Sequence, residues 1–352
     1  MKLSDRKVPA RRPRTVVVAA MVAGLALVTG ACSDDGGGGG ADDGGGGGDG
    51  TTITFLPKNL GNPYFDASST GGQEAAEEFG GVFDEVGPDQ ATPDAQVPFI
   101  NTAAQQGVDA LVVSANDPRA IGDALDEARS AGTKVVTFDS DTDPEFRDVF
   151  VNQASAEGIA AKQLELVSEQ IGGSGQIAIL SASANATNQN AWIALMEDML
   201  ASEYPDVELV EIAYGDDDDQ TSFDKTAALL QSHPDLKGIV SPTTVGIAAA
   251  ARYVSTSEHK GKVAITGLGT PNQMREYVED GTVTSFALWN PEDLGYLAAH
   301  AAKALADEEI TGAEGDTFTA GRLGEFTVGA NGEVLLGEPF VFDESNIADF
   351  DF

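Results

Sequence analysis

Cysteine and histidine are both rare in this chain of 352 residues, which contains one Cys and three His. A single thiol, Cys32, cannot form an intrachain disulfide, and histidines this few and this scattered do not indicate a metal site. Basic side chains are scarce too, because 20 Lys and Arg stand against 57 Asp and Glu, for a net charge of −37. So acidic a surface repels nucleic acid and anionic lipid. We therefore expect no metal, no nucleic-acid partner and no adhesion to lipid through charge.

The sequence motifs of most enzyme classes are also missing. No nucleophile elbow, phosphate loop or dinucleotide fingerprint occurs, and "GLGTPNQ" at 267–273 lacks the third glycine of a nucleotide-binding turn. Asp139 and Asp141 fall on the same side of the chain, and such paired carboxylates leave glycoside hydrolysis as an alternative. Because nothing marks an activated nucleophile, we predict that the protein is not an enzyme and uses no cofactor.

The first residues have the pattern of an export signal. A basic leader precedes "TVVVAAMVAGLALV", Thr15–Val28, an apolar run of signal-peptide length that is rather short for a membrane-spanning helix. The following "TGAC" resembles the lipobox of bacterial lipoproteins, although Thr29 stands where leucine is usual. We predict that 1–31 is a lipoprotein signal peptide and that lipidated Cys32 anchors the protein to the outer face of the cell membrane. An uncleaved anchor, or a signal without a lipid, is the alternative.

A glycine- and aspartate-rich segment follows the cysteine. "DDGGGGGADDGGGGGDG", Asp34–Gly50, has too few apolar side chains to fold, and its charges keep it solvated. We predict that 32–50 is a flexible tether between the lipid and a globular body.

From Thr51 onward, short apolar runs alternate with stretches of helical spacing. Examples of the runs are "KVVTFDSD" (134–141) and "QIAILSAS" (176–183), and Ala156–Ile171 and Pro291–Ala306 are typical helical stretches. Such alternation builds parallel sheets with helices on both faces, and the length exceeds one ordinary core. The predicted fold class is α/β with two lobes, each a parallel sheet flanked by helices. We assign 51–153 with about 291–325 to an N-terminal lobe, and 154–290 with about 326–352 to a C-terminal lobe.

Polar side chains stand at the predicted carboxyl ends of these strands, where open α/β sheets bind ligands. They are interleaved with aromatic residues, and the set comprises Lys58, Asn116, Asp139, Asn188, Gln189, Thr243, Thr244 and Asn290 with Tyr64, Phe65, Trp192 and Trp289. A polyol fits this mixture, because each hydroxyl both donates and accepts a hydrogen bond while the C–H faces pack on rings.

Simpler structural roles remain open for several of these residues. Asp117 and Asn290 precede prolines and have the pattern of helix caps, and Trp192 is compatible with a place in the core. The acidic run Asp216–Asp219 is interpreted as a solvated loop, because it lacks the spacing of a calcium loop.

Several longer stretches carry a family resemblance. "PKNLGNPYF", "VVTFDSD", "SASANATNQNAW", "FALWNPEDLGY" and the ending "FDESNIADFDF" resemble the type I periplasmic sugar-binding proteins of ABC importers, in particular their rhamnose-binding branch. The resemblance implies a hinged, monomeric receptor that closes on a monosaccharide and delivers it to permease subunits in the membrane. It covers nearly all of the chain after Thr51.

The sister group of that branch binds the signal autoinducer-2. Its site pattern matches here at Lys58, Asp139, Gln189 and Pro242, whereas Asn188 replaces a carboxylate and Thr244 replaces an alanine. Both departures disfavour that signal, so the resemblance implies L-rhamnose, with its methyl group against Phe65 or Trp289. The predicted ligand-binding residues are Lys58, Phe65, Asn116, Asp139, Asn188, Gln189, Pro242, Thr244, Trp289 and Asn290.

The sequence leaves two other functions as alternatives. An autoinducer-2-type receptor or a binding protein for another pentose or hexose remains the nearest alternative. The sensory body of a transcription repressor shares the fold, but it requires a DNA-binding helix pair where this chain has a leader and a tether.

Overall fold

The protein is described by a computed structural model over residues 50–352. The predicted signal peptide, the lipidation site Cys32 and all of the predicted tether except Gly50 lie outside these residues. Across residues 50–352, none of the helices combines the length and the apolar character that a membrane span requires.

In the first half of the described chain, strands alternate with helices. Their bounds, in chain order, are β1 (Thr52–Leu56), α1 (Pro63–Glu78), β2 (Val82–Glu85), α2 (Val97–Gln106), β3 (Ala110–Val113), α3 (Gly122–Ser130), β4 (Lys134–Phe138) and β5 (Val149–Asn152).

The same alternation continues through the second half. The elements are α4 (Ala156–Ile171), β6 (Gly175–Ser181), α5 (Thr187–Ser202), β7 (Val207–Tyr214), α6 (Asp219–Ser232), β8 (Leu236–Ser241), α7 (Thr244–Ser255), β9 (Ala264–Gly267), α8 (Pro271–Glu279) and β10 (Ser285–Leu288).

A long helix and short strands complete the chain. They are α9 (Pro291–Ala306), β11 (Thr317–Ala320), β12 (Gly324–Thr327), β13 (Glu333–Leu335) and β14 (Phe340–Asp343). The predicted helices Ala156–Ile171 and Pro291–Ala306 are confirmed as α4 and α9, each with an N-cap side chain, Ser155 and Asn290 respectively.

Two sheets with the same internal order form the two lobes. The first is a six-stranded parallel sheet in the order β13-β5-β4-β3-β1-β2, and the second is a four-stranded parallel sheet in the order β7-β6-β8-β9. A bridge between Leu268 and Ala287 continues the second sheet toward β10, which pairs antiparallel with β14. The predicted fold class is therefore confirmed. Strand β3 and most of β1 and β8 are buried, as parallel strands covered on both faces must be.

The order of each sheet reverses direction at one place. In the first sheet this switch falls between β1 and β3, and in the second it falls between β6 and β8. Ligands of open parallel sheets bind at the carboxyl ends of the strands at such switch points. The topology thus places the segments after β1, β3, β6 and β8 where a ligand is expected.

Helices α1 and α9 pack unusually close together on the first sheet. A Cβ added at Gly295 would lie 1.8 Å from the carbonyl oxygen of Ser68, and one added at Gly71 would lie 1.9 Å from that of Glu292. Because no side chain separates the two backbones there, the N-termini of both helices reach the same edge of the sheet. Tyr64 and Trp289, at those two ends, are thereby brought together.

The predicted lobe boundary near residue 326 needs a correction. β13 falls in the range assigned to the C-terminal lobe, yet Val334 pairs with Val151 in β5 of the first sheet. Backbone pairing decides which sheet a strand joins, and the sequence pattern of a three-residue strand carries no information about its partner. The chain consequently passes between the sheets three times, after β5, after β10 and between β13 and β14.

Candidate functional site

A pocket lies between the carboxyl ends of the two sheets. Its free space is about 370 Å³, and its walls are formed by Lys58, Asn62, Tyr64, Phe65, Asp139, Asn188, Gln189, Trp192, Asp217, Pro242, Thr243, Thr244, Leu268, Leu288 and Trp289. Segments from both lobes contribute, at the switch point of each sheet. Clefts at the junction of two lobes and at the switch points of parallel sheets are common places for small-molecule sites.

Lys58 is held in the pocket wall by the chain around it. It follows β1 directly after Pro57, and the side-chain amide of Asn116 donates a 2.9 Å hydrogen bond to its carbonyl oxygen. Lys58 is 4% exposed, and its Nζ lies 3.2 Å from Asn188 Oδ1 and 3.8 Å from Asp139 Oδ2. A lysine this buried is retained only with partners, and here the partners are groups that face the pocket.

Asp139 occupies a backbone conformation that is unusual for its residue type. Its φ is +59°, in the left-handed region, directly after β4. Ser114 Oγ donates a 2.7 Å hydrogen bond to one carboxylate oxygen, and the Tyr64 hydroxyl donates a 3.2 Å bond to the other. Strain of this kind persists where the surrounding structure fixes a side chain for a task. The Asp139 carboxylate is therefore oriented before any ligand arrives.

Aromatic rings and leucines make up the apolar part of the pocket. The rings of Tyr64 and Trp289 meet edge to face with centroids 6.1 Å apart, and Trp192 packs against Trp289 at 6.2 Å. Leu268 and Leu288, which follow or end strands of the second sheet, add aliphatic surface. This wall offers ring faces to C–H groups and a purely apolar corner to a methyl group.

The second lobe presents amides and hydroxyls at the N-termini of its helices. Gln189 Oε1 accepts hydrogen bonds from Ser181 Oγ at 2.6 Å and from the Ala182 amide at 2.8 Å. Its Nε2 is therefore the part of the amide that remains to donate to a ligand. Asn188, on the same turn of α5, donates to Asp139 at 3.4 Å, so the two lobes already touch across the pocket.

Asp217 is a second carboxylate in the pocket wall. It lies in the turn between β7 and α6 with a φ of +49°, and its Oδ1 accepts a 2.5 Å hydrogen bond from Thr243. Burial raises the pKa of the Asp217 carboxyl, while the Thr243 hydroxyl and the Lys58 charge act in the opposite direction. The sequence interpretation of 216–219 as a solvated loop is thus wrong for Asp217. A pattern of four consecutive aspartates gave no signal as to which one faces inward.

The charges of the site do not balance. Two carboxylates, Asp139 and Asp217, face one ammonium group, Lys58. Burial and the Asp139 charge hold the pKa of the Tyr64 phenol well above its ordinary value, so Tyr64 stays neutral and acts as a hydrogen-bonding group. The pocket is therefore suited to neutral polar ligands and unfavourable to anions.

Most of the residues predicted from sequence line the pocket. These are Lys58, Phe65, Asp139, Asn188, Gln189, Pro242, Thr244 and Trp289. Asn116 and Asn290 do not: Asn116 holds the Lys58 backbone, and Asn290 caps α9 through its Oδ1, which accepts from the amides of Glu292 and Asp293. The sequence left open whether Asn290 binds a ligand or caps a helix, and in the structure it caps the helix.

Asn62, Leu268 and Leu288 also line the pocket and were not predicted. The leucines have the pattern of ordinary strand residues, and only the topology shows that their strands end at the site. Within residues 50–352, no group of three or more His, Cys, Asp or Glu side chains is arranged to hold a metal ion.

Residues 53–310 match a family model described as a periplasmic binding protein domain. Among solved structures, a sugar ABC transporter from Actinomyces odontolyticus is 55% identical to this chain, with a TM-score of 0.71, over 86% of this chain and 98% of that one. These matches confirm the family predicted from the sequence.

Two further structures were solved with ligands. An ABC transporter solute-binding protein from Clostridium phytofermentas with bound L-rhamnose is 40% identical, with a TM-score of 0.83, over 85% of this chain and 98% of that one. LsrB from Clostridium saccharobutylicum in complex with AI-2 is 28% identical, with a TM-score of 0.81, over 86% of this chain and 100% of that one. These relatives are binding proteins rather than enzymes, which agrees with the prediction of a non-catalytic protein.

Proposed function

Because the chain belongs to the periplasmic binding protein family, we propose that it is the substrate-binding component of an ABC sugar importer, with L-rhamnose or a close 6-deoxyhexose as its ligand. The sugar is gripped between the two lobes and delivered to permease subunits. One observation carries this proposal: oriented polar groups of both lobes, Asp139 with Lys58 and Gln189, surround a small space walled by rings.

The polar groups supply what sugar hydroxyls need. The Asp139 carboxylate accepts hydrogen bonds, Lys58 and Gln189 donate them, and charge-assisted bonds of this type contribute about 1.5–3 kcal/mol each. A hydroxyl placed between Lys58 and Asp139 would both accept and donate. Lys58 Nζ and Asp139 Oδ2 are 3.8 Å apart, so a ligand oxygen can contact both.

The apolar corner favours a deoxy sugar. Leu268, Leu288 and Trp289 form a surface without hydrogen-bonding groups apart from the indole N–H, which Tyr64 already binds. A CH₂OH group placed there would leave its hydroxyl unpaired, whereas a methyl group would be buried at a gain of about 25 cal/mol per Å². The solved relative with bound L-rhamnose supports the same ligand.

Autoinducer-2 is the competing ligand, because a relative in complex with AI-2 also covers the chain. Asn188 and Thr244 disfavour autoinducer-2, since they stand where the pattern of the signal-binding group has a carboxylate and an alanine. Thr244 is 7% exposed in the pocket wall, where its methyl and hydroxyl groups reduce the space.

The proposed place of action is the outer face of the cell membrane. The lipobox-like "TGAC" and the glycine-rich segment to Gly50 support a protein that is lipidated at Cys32 and tethered there. Fractionation of the native host tests this: the protein should be found with membranes, and a Cys32→Ser variant should be released in soluble form. A variant that remains with the membrane contradicts lipid anchoring.

A ligand panel tests the proposed function. We expect L-rhamnose to raise the unfolding temperature, because a ligand at 100 times its Kd stabilises the fold by about 2.7 kcal/mol. Autoinducer-2 should raise it little, and the anionic sugar D-galacturonate should not raise it at all. A larger rise with autoinducer-2 would reassign the ligand but keep the receptor class. No rise with any sugar, confirmed by calorimetry, would refute a sugar receptor.

A further inference from the structure

The loop between β7 and α6 carries Asp217 into the wall of the pocket between the two sheets. Asp216 and Asp217 are consecutive residues with a left-handed backbone, at φ values of +55° and +49°, a conformation that is uncommon outside glycine. Among the aspartates 216–219, Asp217 is half-buried and the other three are exposed. The backbone of the loop thus turns one acid of the run toward the pocket.

Hydrogen bonds on both sides of Asp217 hold the loop in place. The Asp216 amide donates a 2.8 Å bond to the carbonyl oxygen of Ala182, which follows β6. On the other side, the Asp218 carboxylate accepts a 2.7 Å bond from the Thr221 amide and so caps α6. Asp217 is therefore held between two anchored neighbours, and its carboxylate has a fixed direction.

The Asp217 carboxylate has acceptor capacity left for a ligand. Its Oδ1 accepts a 2.5 Å hydrogen bond from the Thr243 hydroxyl. An ionised carboxylate has two oxygens and about four lone-pair sites, so one such bond leaves most of them free. Lys58 and Asp139, which form an ion pair at 3.8 Å, line the same pocket from the first lobe. A ligand held there lies between one carboxylate of each lobe.

Asp217 also borders a larger space, the outer cavity, with a free volume of about 1240 Å³. Segments of both lobes form the wall of the outer cavity, among them Asn59 and Thr92 of the first lobe and Asn185 and Thr221 of the second. Within residues 50–352, Asp217 is the one residue that lines both spaces. A sugar hydroxyl directed at Asp217 therefore points toward a space that is large enough to admit a substituent.

We propose that Asp217 is a specificity-determining residue of the second lobe: it accepts a hydrogen bond from one sugar hydroxyl and so selects a ligand in which that hydroxyl is free. This role rests on the proposed function, in which a sugar is gripped between the lobes. An ether at the same position has no hydrogen to donate, and it would leave the carboxylate facing an acceptor. The selection is made by the hydrogen-bond donor, because the outer cavity leaves room for an ether.

Asp217→Asn changes the chemistry of this contact and keeps its shape. Asparagine adopts the left-handed backbone readily, and its Oδ1 can still accept from Thr243. The NH₂ group then replaces the second carboxylate oxygen, and as a donor it suits an ether oxygen as well as a hydroxyl oxygen. The variant should therefore bind L-rhamnose more weakly and lose the preference for a free hydroxyl.

Asp216→Asn provides a matched control. Asp216 has the same left-handed backbone and the same charge, but it is exposed and borders only the outer cavity. Its replacement removes one charge from the same loop without touching the pocket between the sheets. It should leave the affinity for L-rhamnose and the preference for a free hydroxyl as they are in wild type.

The experiment measures binding by calorimetry for full-length wild type, Asp217→Asn and Asp216→Asn. The ligands are L-rhamnose and each of its four mono-O-methyl derivatives. Wild type and Asp216→Asn should bind one derivative about tenfold more weakly than L-rhamnose, or weaker still. Asp217→Asn should bind L-rhamnose about tenfold more weakly than wild type does, and it should bind that derivative within about threefold of L-rhamnose. Thermal unfolding of the ligand-free variants checks that each is folded.

Several results would overturn the role of Asp217 and leave the receptor class intact. They are an unchanged affinity of Asp217→Asn for L-rhamnose, an undiminished preference for the free hydroxyl in that variant, and the same changes in Asp216→Asn. Equal binding of L-rhamnose and all four derivatives by wild type would overturn it too. A wild type that binds no sugar would instead refute the proposed function, and the role of Asp217 with it.

Discussion

The indole Nε1 of Trp289 donates a 2.9 Å hydrogen bond to the hydroxyl of Tyr64, and that hydroxyl in turn donates to Asp139. The chain of bonds runs from a passage between the lobes, through α1, to a carboxylate at the end of β4. Through these bonds Asp139 Oδ1 accepts from an uncharged donor, and the Trp289 ring is held in the pocket wall. Ring and carboxylate are thus fixed as a unit.

Ligand binding should change the intrinsic fluorescence of the protein. The whole chain has two tryptophans, and both Trp192 and Trp289 line the pocket. We expect L-rhamnose to shift or quench the emission in a saturable titration, and Trp289→Phe to lose most of the signal. Trp192→Phe serves as the comparison, because this variant keeps Trp289, the ring against which Trp192 packs. Binding seen by calorimetry without any change in emission would contradict the placement of both rings.

Loss of the Asp139 carboxylate should weaken sugar binding by about tenfold or more, because a buried charge-assisted hydrogen bond is removed. Asp139→Ala also leaves Lys58 without its nearest opposite charge, which adds to the loss. The measurement is the Kd by calorimetry. Asp117→Ala is the control, since Asp117 Oδ1 caps the turn after β3 by accepting from the Arg119 and Ala120 amides. An unchanged Kd for Asp139→Ala would exclude Asp139 from the site.

Asp217→Asn should stabilise the ligand-free protein in a pH-dependent way. Burial raises the pKa of the Asp217 carboxyl above its ordinary value, so ionising it destabilises the folded state as the pH rises through that range. We expect the unfolding temperature of the variant to exceed that of wild type by about 2 °C at pH 7, since ~1 kcal/mol shifts a domain of this size by that order. The gain should vanish near pH 3, where the Asp217 carboxyl is protonated in both the folded and the unfolded wild type.

Asp218→Asn is an informative control for that experiment because its sign is opposite. Asp218 caps α6, and the hydrogen bond from the Thr221 amide lowers the pKa of its carboxyl. Its charge therefore stabilises the fold at neutral pH, and the variant should unfold at a slightly lower temperature than wild type at pH 7. A gain in stability for both variants would point to relief of general acidic repulsion instead of the burial of Asp217.

The close packing of α1 on α9 should not tolerate a methyl group. A Cβ at position 295 would overlap the Ser68 carbonyl, so Gly295→Ala must push the helices apart. Overpacking of this kind destabilises by about 1–3 kcal/mol or more, and we expect a fall in unfolding temperature of roughly 5 °C. Gly337→Ala is the matched variant, because a Cβ there meets nothing within 4 Å. Equal stability of the two variants would contradict the helix contact.

Long apolar strands and capped helices were predictable from the sequence. β4 and β6 are runs of buried side chains, and α4 and α9 begin at residues with cap chemistry, so local pattern and tertiary structure agree. β2 escaped prediction because it is the edge strand of its sheet and mostly exposed, with Val82 58% exposed. Helix α2, "VPFINTAAQQ", escaped because its N-cap residue Gln96 makes no capping hydrogen bond through its side chain and a proline stands in its first turn.

The site was predictable where side-chain chemistry stands at a strand end. Lys58, Asp139 and Gln189 carry groups that a polyol needs, and each follows an apolar run. Asp217 and Leu268 line the pocket but were not predictable in this way. The way in which the two sheets meet decides which of the four consecutive aspartates, and which leucine near a strand end, faces the ligand. The assignment of β13 failed for the same reason, because its partner β5 is remote in sequence.

The return of α9 and β13 to the first sheet has a consequence for how the molecule is made. Helix α9 packs against β3, β4 and β5, and β13 adds the outermost strand next to β5, so the amino-terminal body stays incomplete until residue 335 has emerged. Such a topology prevents sequential maturation during synthesis and delays the long-range pairings on which its stability depends. Nearly the whole polypeptide must be available before either part is native, which leaves a long interval in which chaperones can hold the nascent chain.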